Sequence, residues 1–198
     1  MVTNTVKKRL LDFTMETQLG HALCWAAVGT SCALFYDSNS SWTQCTLASA
    51  SITPAPGDCC SDPENSPCDI PWFLQNKQDI GSFVTAGIAD NFHKDFISFT
   101  QLMEQLDQGR LVAYLLELDI DGEIADMDKF SHFVVIAGYE STTTEQNVTV
   151  YDPYFGTSEM PYKEFVTNYK CHGGSVLGHK VTHSLVEYTF FSKPAKKS

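Results

Sequence analysis

"QLGHALCWAAVGTSCALFY", residues 18–36, starts as a loop of small and polar residues and runs into a series of helix formers, with a cysteine at the junction. From Cys24 onward, Trp25, Val28, Cys32 and Phe35/Tyr36 recur at three-to-four spacing, which predicts a helix over 24–37 ended by "DSNSS". A cysteine at the first residue of a helix has two readings. It is a small apolar residue beginning a buried segment, or a thiol whose ionisation the helix N-terminus assists. The first reading asks nothing more of the chain. The second asks for an imidazole brought from elsewhere, because the helix end alone leaves a cysteine mostly protonated at neutral pH.

Working outward, residues 38–73 contain "TPAPGDCCSDPENSPCDIPWF", where prolines and turn residues predict an irregular segment with short helical pieces at best. "SFTQLMEQLDQG" (98–109) predicts a second helix, with Ser98 and Gln101 as a capping box, Leu102 and Leu106 on one face and Gly109 as the stop. The remainder reads as strands: "LVAYLLEL" (111–118), "HFVVIAGY" (132–139), "NVTVYDP" (147–153) and "SLVEYTFF" (184–191), with a short helix at 161–169. Helices first and antiparallel strands after is the α+β pattern. One domain over 1–198 is expected, with 1–97 mainly helix and loop and 98–198 mainly antiparallel sheet.

Composition narrows the function classes. Of 198 residues, 43% are hydrophobic and 19% charged, so the chain can bury a core of its own. The formal charge of −11 argues against nucleic acid or an anionic membrane surface as a partner, since both need a basic face. No signal-peptide core and no apolar run of membrane-spanning length is present, so a cytoplasmic protein, or one delivered by a specialised secretion machine, is expected. In that setting free thiols are favoured for the seven cysteines. Four of them, Cys45, Cys59, Cys60 and Cys68, crowd one loop-rich stretch where three disulfide pairings are open; zinc fits less well, because no C-x-x-C pair occurs. The acidic "DIDGEIADMD" (119–128) has its glycine at the wrong place for a calcium loop and reads as a hairpin loop. "HKVTH" (179–183) falls in strand context and reads as structure, not as a metal site.

The best candidate to supply the imidazole is His132. If "HFVVIAGY" and "NVTVYDP" pair through the polar turn "ESTTTEQ", His132 stands opposite Asp152, Val134 opposite Val150 and Ile136 opposite Val148. That register makes an apolar ladder with one polar pair at its open end, which is how a base and the carboxylate orienting it would be offered to a cleft. Gln18, one short loop before Cys24, carries an amide N–H that with the backbone N–H of Cys24 would make a two-donor oxyanion hole. Each residue alone has an ordinary structural role open to it. Together they meet four independent requirements of thiol catalysis in chain order.

These motifs carry a resemblance. Q-x5-C-W, a distant H-F before an apolar strand, and Asp at the end of the next strand resemble the papain-like cysteine peptidases. The likeness is strongest to the small bacterial branch that includes bacteriocin-leader peptidases and avirulence-effector proteases. "CWAAVGTSCALFY", "WTQCTLA", "CCSDPENSPCDIPWFL", "HFVVIAGY" and "VYDPYFGTSEMPYKEF" carry it across residues 18–191. The resemblance implies a helical lobe whose nucleophile helix packs on an antiparallel sheet lobe, with Cys24 as nucleophile, His132 as general base and acid, Asp152 orienting it and Gln18 in the oxyanion hole. It implies a protein or peptide substrate and no cofactor. The sequence departs from papain in having Asp in place of Asn as third member and "PYFG" after it. An acyltransferase, a deamidase using the same triad, or a catalytically silent binding module are the alternatives.

Overall fold

A computed structural model describes residues 6–121, 129–169, 175–176 and 179–194. Its centre is an antiparallel sheet made largely from the strands expected in the second half of the chain: β3 (Val112–Ile120), β4 (Lys129–Ser141), β5 (Gln146–Asp152), β6 (Gly156–Pro161) and β8 (His179–Ser192). Two strands come from the first half, β1 (Lys7–Leu10) and β2 (Ala89–Lys94); a two-residue β7 (Ser175–Val176) pairs with β8. The sheet order is β2-β8-β3-β4-β5-β6, and β1 pairs with β4 from Ser141 to Gly138, beyond the point where β3 ends its own pairing at Ile136. The first 97 residues are therefore not only helix and loop: both edges of this segment lend a strand to the sheet. "KKRL" and "ADNFHK" lack the apolar alternation that marks a half-buried strand, which is why neither was legible.

The helices are α1 (Cys24–Tyr36), α2 (Gln44–Ser51), α3 (Ser82–Thr85), α4 (Phe99–Asp107) and α5 (Tyr162–Asn168). Helix α1 is buried on all sides from Cys24 to Ala33, not on the single face its periodicity suggested. It lies between β4 and the pair α2 and α3, and its small residues permit the approach. A Cβ at Gly29 would come within 2.6 Å of Ser82 and 2.9 Å of Leu47, so only glycine fits where the three helices meet. Helix α4 bears out its capping box: the Ser98 hydroxyl accepts from the Gln101 backbone N–H, and the Gln101 side chain accepts from the Ser98 N–H. Leu102 and Leu106 are fully buried, each worth about 1.5–3 kcal/mol of transfer free energy, and Gly109 stops the helix at φ +74°.

The irregular segment after α1 is cross-linked, contrary to the expectation of free thiols. Cys45 pairs with Cys60 and Cys59 with Cys68, with Cα–Cα distances of 5.0 and 5.5 Å. Adjacent Cys59 and Cys60 take different partners, Cys60 a residue of α2 and Cys59 a residue further along the loop, and the turns that bring them there are a tertiary matter. Cys24 and Cys32 are free; Cys171 lies outside the described residues, as does 122–128 of the acidic hairpin loop. "HKVTH" is strand, as expected. Among the described residues, no helix is long and apolar enough to cross a membrane.

Candidate active site

Helix α1 and strands β4 and β5 meet at one point, and the register of β4 on β5 decides what meets there. The β4–β5 turn closes at four residues, because the Thr142 hydroxyl accepts the N–H groups of both Thr144 and Glu145. Ser141 then pairs with Gln146, and an irregularity between Ile136 and Gly138 resets the ladder so that Ile136 faces Val150 and Tyr139 faces Val148. The expected pairs Val134–Val150 and Ile136–Val148 do not form. The slip is two residues at Val150, and an even slip preserves the face. His132 therefore stays on the same side of the sheet as Asp152, diagonal to it and not directly opposite, and its Nε2 lies 2.9 Å from Asp152 Oδ1.

Asp152 is fixed from four directions. Its Oδ1 also accepts the backbone N–H of Tyr154 at 2.8 Å and of Phe155 at 2.9 Å, which locks the turn between β5 and β6. Its Oδ2 accepts the Tyr169 hydroxyl at 2.9 Å, from the residue that follows α5. Asp152 is 2% exposed and His132 7%. The Phe155 ring stands edge-on to the imidazole at a centroid distance of 6.1 Å.

With Nε2 committed to Asp152, His132 also interacts with the Cys24 side chain, which favours the charged imidazole. Burial works against the imidazolium, but the Asp152 carboxylate, its hydrogen bond and the Cys24 side chain outweigh that and raise His132 to about 10. Burial likewise pushes Asp152 upward, yet the His132 charge, their hydrogen bond and the Phe155 and Tyr154 N–H groups leave it below the usual carboxylate value. Cys32, two turns further along α1, is fully buried and its thiol is pushed far up by that burial alone. Of the two free described cysteines, only Cys24 has an imidazole beside it.

Gln18 sits in the loop leading to Cys24, and three braces hold that loop. The Gln18 backbone N–H donates to Pro153 O at 2.9 Å, tying it to the Asp152 turn. The Gln44 amide accepts from Leu19 N–H at 3.0 Å and donates to Thr17 O at 2.9 Å. The Asp69 carboxylate accepts the N–H groups of His21 and Ala22, at 3.0 and 2.6 Å, one residue after the Cys59–Cys68 disulfide. The Gln18 side-chain amide itself donates to Gly20 O at 2.6 Å and His21 O at 3.1 Å, while its Oε1 is buried with no partner among the described residues. It is turned onto its own loop.

Sequence reasoning missed Tyr169, Asp69 and Gln44. Tyr169 ends a helix that was legible, but nothing in the sequence tells that its hydroxyl returns to a carboxylate 17 residues earlier. Among the described residues, no group of three or more His, Cys, Asp or Glu side chains is placed to hold a metal. On the other face of β4, Ser131 and Phe133 line a cavity of about 460 Å³ with Trp72, Phe92, Tyr188 and Phe190.

Residues 10–176 match the Peptidase_C39 like family. Among solved structures, the chain is similar to xylellain, a cysteine protease from Xylella fastidiosa. The TM-score is 0.47 at 12% identity, covering 93% of this chain and 85% of that one. No curated protein sequence matches.

Proposed function

The chain belongs to the Peptidase_C39 like family and is a cysteine peptidase, and on that premise we propose that Cys24, His132 and Asp152 are its triad and that it works through a thioester. The observation that carries this reading is one buried imidazole with Asp152 2.9 Å from its Nε2 and the thiol at the start of α1 favouring its charged form. His132 takes the proton of Cys24, and the thiolate attacks the scissile carbonyl carbon. His132 then gives the proton to the leaving amine, and the same imidazole activates the water that hydrolyses the thioester, freeing Cys24. Asp152 holds the ring in one tautomer and stabilises its charged form.

The oxyanion is received by the backbone N–H of Cys24 and an amide hydrogen of Gln18. For the second donor, Gln18 must release Gly20 O or His21 O as substrate enters; the braces from Pro153, Gln44 and Asp69 keep its backbone still while the side chain turns.

The test is a cell lysate treated with the protein and mapped for new N-termini. Discrete new termini, sharing a pattern around the cut, support the reading. Altered glutamine or asparagine residues without new termini mean the same triad deamidates. Neither change, together with iodoacetamide showing no preference for Cys24, means a silent binding module.

On a substrate found in this way, turnover should fall on the alkaline side as His132 loses its proton. With the imidazolium held to about 10, that limb is expected well above the value near 6.5 of an unperturbed histidine. An alkaline limb at pH 6–7 would contradict the ion-pair arrangement.

A further inference from the structure

Asp152 has more partners than a residue that merely turns a histidine ring requires. Its Oδ1 carries the His132 contact and two backbone N–H groups, whereas its Oδ2 has one side-chain donor, the Tyr169 hydroxyl at 2.9 Å. Tyr169 is 1% exposed and comes from a different element, the residue closing α5, which itself packs on β8, β5 and β6. Its ring lies 5.7 Å from that of Phe165 on the same helix, so the hydroxyl is presented from a fixed aromatic support.

We propose that Tyr169 is a positioning residue of the active site: its hydroxyl fixes the outer oxygen of Asp152, so that the inner oxygen stays aimed at His132 Nε2 and the carboxylate stays ionised. This inference rests on the reading of Asp152 as the group that orients His132. The Tyr169 hydroxyl engages the oxygen that the Oδ1 donors leave free, so rotation of the carboxylate breaks its bond as well as those to His132, Tyr154 and Phe155. Donation to the charged form also favours it over the protonated one. The ionisable groups facing Asp152 are His132 from β4 and Tyr169 from the end of α5, with Cys24 of α1 behind the imidazole; its remaining donors are the Tyr154 and Phe155 backbone N–H groups.

Tyr169→Phe removes the hydroxyl and keeps the ring. Two measurements follow it. The first is the carboxyl-carbon NMR titration of Asp152, assigned with Asp152→Ala. Loss of a donor raises the proton affinity of the carboxylate, so the midpoint should move up by about one pH unit; an unmoved midpoint overturns the proposal. The second is the rate at which iodoacetamide alkylates Cys24 at pH 6, read by peptide mapping in the wild type, Tyr169→Phe, Asp152→Ala and the double variant. Tyr169→Phe should slow the reaction about threefold to tenfold in the wild-type background and leave it unchanged in the Asp152→Ala background. An equal slowing in both backgrounds would show a purely structural role and overturn the proposal. A wild-type Cys24 no more reactive than in Asp152→Ala would instead overturn the triad reading itself. A triad that is intact in the wild type and indifferent to the hydroxyl would overturn this inference alone.

Discussion

Cys24→Ala is expected to lower peptide hydrolysis on the order of 10⁴-fold or more, with the fold left in place. The reasons are local. Cys24 is unpaired while its described neighbours in the cross-linked loop are consumed in disulfides. It is the first residue of α1, where the helix N-terminus favours negative charge, and it interacts with an imidazole whose charged form Asp152 favours. Cys32 has none of these advantages and cannot substitute. The structural cost is small, since the substitution removes one sulfur from a helix already rich in alanine. The comparison requires the lysate assay above, or a purified substrate, together with thermal unfolding of both proteins. Full activity in Cys24→Ala would remove the mechanism, whatever its melting temperature.

Asp152→Ala is expected to be the more damaging change to stability and the milder one to activity. It leaves His132 buried without its counter-charge, and it strips the acceptor from the Tyr169 hydroxyl and the Tyr154 and Phe155 N–H groups. Removing one member of a buried ion pair costs about 3–5 kcal/mol, which for a chain of this size lowers Tm by about 10 °C. Turnover should drop on the order of 10² to 10³-fold, because the imidazole remains and only its orientation and charge stabilisation are lost.

The pH dependence of that stability gap has a definite sign. The folded-state pKa of His132 is raised, so its contribution is complete below the unfolded value near 6.5 and is lost as pH rises towards about 10. That of Asp152 is lowered, so its contribution holds above the unfolded value near 3.9 and fades as pH falls through the folded one. The difference in Tm between wild type and Asp152→Ala should therefore be widest between about pH 4 and 6.5 and narrow on either side. A gap that stays constant from pH 5 to 10 would show that the loss arises from packing and not from the ion pair.

What the sequence determined by itself was whatever rests on periodicity and local chemistry. The alternation in 111–118, 132–139, 147–153 and 184–191 specified strands, the Ser98–Gln101 box specified the start of α4, and the run after Cys24 specified α1. Because a strand places every second side chain on one face, His132 and Asp152 share a face and meet despite a two-residue error in register at Val150. Tertiary structure alone decided the rest. Strands β1 and β2 form because β4 and β8 offer free edges to them, not because their own residues alternate. The pairing of Cys45 with Cys60 and Cys59 with Cys68, the brace from Asp69 and the hydroxyl of Tyr169 all join positions distant along the chain through a side chain. Local propensity carries no information about such meetings, since the free energy that makes them comes from the core packing that brings the segments together.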